Sequence, residues 1–202
     1  LAKIVKPERI QHSTIDFVDI AGLVKGASKG EGLGNQFLSN IREVEVILHM
    51  VRCFDDSNIV HVEGAINPLR DIEIIETELI YADIAQCEKK IDRLKKQAKS
   101  CKISAAQLVV AEELFKHLED LKPVKTFANK DDESFKLLDK EMRFLSNKDV
   151  IYGANVDEEA LANGGNEYVD MVKNHASQVG ADVIMLCAKI EEELVGLDDE
   201  EA

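Results

Sequence analysis

The chain has 202 residues, 45% of them apolar, and carries 39 acidic against 25 basic side chains for a formal net charge of −14. That composition can bury a core, which excludes a disordered polyelectrolyte, and no apolar run reaches the ~18 residues of a membrane span. The acidity argues against nucleic acid wrapped over the whole surface and leaves room for a local basic patch.

Residue 1 is Leu and no secretory leader is visible, so the chain is expected to begin inside a longer protein. A first strand is predicted over residues 14–20, where Ile, Phe and Val dominate before Ala21-Gly22. The glycine-dense stretch from Gly22 to Gly34 reads as a loop, and a short helix near Asn35 carries Phe37, Leu38 and Ile41. Residues 46–51 form a continuous apolar run, the pattern of a parallel strand covered on both faces.

Asn67-Pro68 is a helix start, with a capping side chain followed by proline at the first helical position. Beyond it Ile80, Ile84, Cys87, Ile91, Leu94 and Ala98 recur at alternating spacings of 4 and 3, the narrow seam of a coiled coil. After a polar break at residues 100–104, Ala111, Leu114, Leu118 and Leu121 repeat the seam, which predicts two long helices packed antiparallel as an arm. Pro123 closes the second helix, and the next 20 or so residues carry no clear pattern. Residues 150–154 read as another buried strand with Asn155 at its carboxyl end, residues 167–179 as a helix, and residues 182–186 as a strand ending at Cys187-Ala188-Lys189. The expected fold class is α/β, a mainly parallel sheet with helices on both faces, interrupted by the antiparallel helical arm. The acidic end at residues 198–201 reads as a solvated linker.

Four scattered cysteines without C-x-x-C spacing (Cys53, Cys87, Cys101, Cys187) suit reduced thiols in a cytoplasmic protein. The five histidines are isolated, and His49, inside an apolar strand, is expected to pack in the core. Asp19-Ile20-Ala21-Gly22 stands where a strand meets a glycine loop, the place from which an Asp can hold magnesium through its water shell while a side-chain-free amide approaches a γ-phosphate. Taken alone, that tetrapeptide is better explained as a plain strand end and turn.

Its surroundings are far more specific. Residues 19–44 read D-I-A-G-L-V-K-G-A-S-K-G-E-G-L-G-N-Q-F-L-S-N-I-R-E-V, which closely resembles switch II of the Obg-like ATPase family (YchF in bacteria), in the translation-factor class of P-loop NTPases. V-R-C-F-D-D-S-N-I-V-H-V at residues 51–62, Asn155-Val156-Asp157-Glu158 and Cys187-Ala188-Lys189 fit the same family, and the resemblance spans the whole chain, arm included. It implies hydrolysis of ATP with Mg2+, in a nucleotide-binding domain formed by residues 1–67 and 146–202 around a coiled-coil insertion at residues 68–145.

The resemblance also assigns roles. Asp19 would anchor magnesium through water and Gly22 would sense the γ-phosphate, while Leu23 stands where related GTPases carry the Gln that orients the attacking water. Lacking donor and acceptor, Leu23 leaves that task to another group or a partner, so slow intrinsic hydrolysis is expected. Asn155, Val156 and Glu158 would read the base, Val156 through its backbone, in a motif that keeps the Asn of the guanine-reading N-K-x-D but has no Lys and a longer carboxylate. That change weakens the guanine clamp and, in the family, accompanies preference for ATP. Asp157 leaves the register of the carboxylate open. Cys187, Ala188 and Lys189 match the S-A-K loop that closes over the base, with Cys in place of Ser.

The phosphate cradle G-x-x-x-x-G-K-[ST] is missing from these 202 residues, and Gly26-Ala27-Ser28-Lys29-Gly30 has the wrong order to replace it. The family carries its cradle upstream of the position of Leu1 and a TGS domain downstream, so the chain alone is expected to bind ATP poorly. Lys89, Lys90, Arg93, Lys95, Lys96, Lys99 and Lys102 crowd the first arm helix and its tip, where they could meet ribosomal RNA phosphates or form a solvated helix face. The family's link to ribosomes favours contact. Two alternatives stay open: a GTPase of the related Obg type, and a non-catalytic interaction module built on the arm.

Overall fold

A computed structural model describes residues 14–20, 33–55 and 66–195. Three of the apolar runs become strands β1 (Val46–Arg52), β2 (Asp149–Asn155) and β3 (Asp182–Leu186), which form one parallel sheet in the order β1-β2-β3. The register pairs Arg52 with Asn155 and Asn155 with Leu186, so all three strands finish level at one edge.

Helices α1 (Leu33–Glu43), α2 (Pro68–Gln97) and α6 (Glu167–Val179) cover the side of the sheet that carries Ile47, Val51, Tyr152 and Ala154. On the other side Val46, Leu48, Met50 and Ile184 are between 41% and 47% exposed among the described residues. There Gly153 leaves room for its neighbours: a Cβ on it would sit 2.5 Å from Met50 Sδ, so the bare backbone lets β1 side chains fold across β2. Residues 14–20, predicted as a strand, have no regular secondary structure and join no ladder among the described residues, with Ile15, Phe17 and Val18 exposed. Composition marks a segment able to pair; the partner strand has to be supplied by the fold.

Helix α2 starts as its sequence predicts. Asn67 Oδ1 accepts the Arg70 N–H at 3.1 Å and Pro68 occupies the first helical position. At 30 residues α2 is about 45 Å long and serves two cores. Its first half packs on the sheet through Ile72, and its second half pairs Cys87, Ile91 and Leu94 with Ala111, Leu114 and Leu118 of α3 (Lys102–Glu119). Leu121, expected in the seam, falls beyond α3 in a left-handed turn at φ 55° and is exposed, because the chain reverses there ahead of Pro123.

The stretch without a clear pattern folds as a third layer of the arm. Helix α4 (Glu133–Met142) brings Phe135, Leu138 and Met142 onto α2 and α3, and Phe127 meets Phe135 at 5.5 Å between ring centroids. Two polar clusters lock α2 in place. Asp83, fully buried, accepts hydrogen bonds from the Leu145 N–H at 2.9 Å, the Ser146 N–H at 2.8 Å and the Ser146 hydroxyl at 2.7 Å. Nearer the sheet the Tyr152 hydroxyl donates to Glu76 Oε1 at 2.7 Å, with His175 Nε2 3.2 Å from both groups. His49, expected in the core, is half-buried; its ring lies 5.8 Å from Tyr152 between centroids, and burial lowers its pKa.

Candidate functional site

Parallel strands that end level deliver the three following loops to a single edge, the place where open α/β sheets hold ligands. Here the loops after β1, β2 and β3 enclose a cleft of about 540 Å³. Phe54, Asn155, Glu158, Ala188 and Lys189 are among its lining residues.

Backbone hydrogen bonds continue past the strands and set the loops against one another. The Cys53 N–H donates to the Asn155 carbonyl at 2.8 Å, and the Val156 N–H to the Leu186 carbonyl at 2.9 Å. The Asn155 side chain then joins two loops, its Oδ1 accepting the Ala188 N–H at 3.0 Å, which orients the rest of its amide. Val156 and Cys187 are each only 2% exposed, so their side chains belong to the core and they meet the cleft with backbone. Packing at position 187 therefore accepts a thiol where a hydroxyl would otherwise stand.

The carboxylates of the tetrapeptide have separate tasks. Asp157 Oδ1 accepts the Ala160 N–H at 2.8 Å and caps helix α5 (Glu158–Ala162), while Glu158 Oε1 receives Lys189 Nζ at 2.6 Å. Lys189 is the second residue of helix α7 (Ala188–Leu194), and the Glu158 carboxylate holds its ammonium above the usual lysine pKa. Of the two carboxylates, Asp157 is used as a helix cap and Glu158 has the side chain that reaches across the cleft.

Phe54 escaped the reading of the sequence. It lies two residues past the end of β1, and the Arg52 guanidinium lies 4.8 Å from its ring centroid while Arg52 Nε donates to the Phe54 carbonyl at 3.1 Å. Its loop is pinned by Asn166 Nδ2 donating to the Cys53 carbonyl at 2.7 Å and by the Tyr168 hydroxyl donating to Asp55 at 2.9 Å. The available signal was an aromatic just past an apolar strand run in a chain that is only 5% aromatic. An aromatic wall beside amide and charged groups suits a planar heterocycle with a polar edge. Burial pushes the neighbouring Cys53 thiol up to about 11, so it stays protonated.

The cleft thus gathers Asn155, Val156, Glu158, Cys187, Ala188 and Lys189. Asp19 stands apart from its lining, exposed near the end of the 14–20 segment, and Gly22, Leu23 and the 26–30 stretch lie outside the described residues. Among the described residues no group of three or more His, Cys, Asp or Glu side chains could hold a metal ion. A single exposed carboxylate still suits magnesium, which keeps much of its water shell and takes one or two carboxylates together with substrate phosphates.

On the arm Lys89, Arg93, Lys95, Lys96, Lys99 and Lys102 are exposed, with Lys95 3.7 Å from Glu112. Lys90 departs from that group. It shares the 87–90–91–94 face of α2, so its stem is buried and its ammonium meets Glu141 at 2.5 Å. No helix among the described residues is long and apolar enough to cross a membrane.

A family model described as 50S ribosome-binding GTPase matches residues 3–155. The Ribosome-binding ATPase YchF of Escherichia coli O157:H7 is 48% identical over 202 residues, covering 100% of this chain and 54% of the relative. The protein of the same name from Bacillus subtilis (strain 168) is 43% identical over 203 residues, covering 100% and 55%. The solved structure described as the Schizosaccharomyces pombe YchF GTPase superposes with a TM-score of 0.72 at 34% identity, over 90% of this chain and 50% of that one. The chain spans about half the length of these relatives.

Proposed function

The chain belongs to the YchF family, within the 50S ribosome-binding GTPases, and from that premise we propose that its cleft takes the adenine of ATP, which the full-length protein hydrolyses to ADP and phosphate. The observation that carries the reading is the state of the tetrapeptide. A guanine clamp uses a free carboxylate and a Lys stem laid along the base, whereas here the position after Asn155 is the buried Val156 and the Glu158 carboxylate is already engaged. Adenine has no N–H at ring N1 and presents an exocyclic amine, so it can be held by the Asn155 amide and loop backbone against Phe54 without such a clamp.

Asp19 would hold magnesium through its water shell, and the Gly22 amide would meet the γ-phosphate; bound magnesium supplies charge neutralisation at the β- and γ-oxygens. Leu23 neither donates nor accepts, so positioning of water falls to another group or partner. We assign residues 1–67 and 146–202 to the nucleotide domain and residues 68–145 to the insertion; the separate core that α3 and α4 form with the outer half of α2 supports the insertion, while the inner half of α2 joins it to the sheet. In competition titrations on the full-length protein ATP should bind more tightly than GTP. The Schizosaccharomyces pombe relative is described as a GTPase, and tighter GTP binding would replace the first reading with that second one.

The ribosome is the proposed partner, in the cytoplasm, with the exposed arm lysines meeting RNA phosphates. Lys90 is left out of that surface because Glu141 holds it inward. No aromatic residues interleave with the charges, so contact should be indifferent to base sequence. Changing Lys89, Arg93, Lys96 and Lys99 together to Glu should weaken ribosome cosedimentation at least ~10-fold. Its salt dependence should also flatten, by up to about one log unit per log salt for each phosphate no longer neutralised. Unchanged cosedimentation across salt would take the arm out of the interface.

A further inference from the structure

We propose that Lys189 is a specificity-determining residue that acts by occupying Glu158, withholding that carboxylate from guanine. The inference rests on the adenine reading above and adds the means by which the cleft rejects the other purine.

Glu158 opens the helix after β2 and Lys189 lies in the helix after β3, so their 2.6 Å contact spans the cleft from one loop to the next. A carboxylate that reads guanine accepts the ring N1–H and the exocyclic N2–H side by side, which calls on both of its oxygens. In this cleft the lysine ammonium already sits on Oε1 at 2.6 Å, so guanine would have to compete with a charged donor for that oxygen. Adenine, held by the Asn155 amide and loop backbone, makes no call on that carboxylate.

Asp157 is committed to the Ala160 N–H, and Glu193 acts on Lys189 only through space. Both members of the pair are well exposed, at 69% for Lys189 and 53% for Glu158, so the contact contributes little to folding. Its removal should therefore register in base selection with the unfolding midpoint unmoved.

The test uses full-length protein titrated with fluorescent ATP and GTP analogues, comparing wild type, Lys189→Met and the double variant Lys189→Met with Glu158→Gln. Freeing the carboxylate should shift the ATP-to-GTP affinity ratio about tenfold toward GTP in Lys189→Met, a typical effect of one charge-assisted hydrogen bond. The double variant should return toward the wild-type ratio, since the freed charge is gone. An ATP-preferring wild type whose ratio is the same in Lys189→Met overturns this inference alone, as does a shift that persists in the double variant. A wild type that prefers GTP overturns the adenine reading and this inference with it.

Discussion

Replacing Asp83 with Ala should destabilise the protein by about 3 kcal/mol, read as a lower urea midpoint at unchanged slope. The side chain is fully buried, and its removal strands the Leu145 N–H, the Ser146 N–H and the Ser146 hydroxyl at the junction of α2 with the 3₁₀ turn Leu145–Asn147. Each stranded donor costs about 1–3 kcal/mol, offset in part because a buried charge also disappears. A loss within experimental error would mean that solvent reaches these donors once the carboxylate is gone.

The same residue predicts a pH trend. Burial raises the Asp83 carboxyl above its usual pKa of 3.8, against the pull of its three hydrogen bonds and of Arg42. A carboxyl raised in the folded state binds a proton there more readily than in the unfolded chain. Its contribution is therefore greatest at low pH and is lost as pH climbs from the ordinary value through the folded one. The gap in stability between wild type and Asp83→Ala should narrow as pH rises above the ordinary carboxyl value. A gap that widens over that range would show a carboxyl whose folded pKa is lowered.

Asn155→Ala should weaken ATP binding to the full-length protein by about 10- to 100-fold, measured by titration. Two losses combine: the acceptor that holds the Ala188 N–H at 3.0 Å, and with it the alignment of the 187–189 loop, and the amide proposed to meet the base. Because Asn155 closes β2 at the sheet edge and is not one of the buried core side chains, the unfolding free energy should change by less than ~1 kcal/mol. Unaltered affinity would remove Asn155 from base recognition.

Much of this architecture was legible before any coordinates. Continuous apolar runs announced β1 and β2, the Asn67-Pro68 pair announced the start of α2, and alternating spacings of 4 and 3 announced a helical arm. These are local signals, carried by residues within a few positions of each other, and periodicity and capping act over that range. The tetrapeptide at residues 155–158 and the 187–189 loop were likewise readable as a candidate pair, through family resemblance.

What joins distant segments was decided by the tertiary structure. Residues 14–20 have strand composition without a partner among the described residues, and Leu121 has seam spacing but falls where the chain turns. Lys90 reads as one more basic residue of the arm until Glu141, 51 positions away, draws it inward. Asp83 and Leu145 are 62 residues apart, and Glu158 and Lys189 are 31 apart. Composition and spacing by themselves marked most of the segments that become helix or strand, because those preferences are local; residues 14–20 and the helix at Glu133–Met142 are the exceptions. Which side chains meet at the cleft was set by the register that levels Arg52, Asn155 and Leu186, since a one-residue slip would turn every strand side chain to the opposite face.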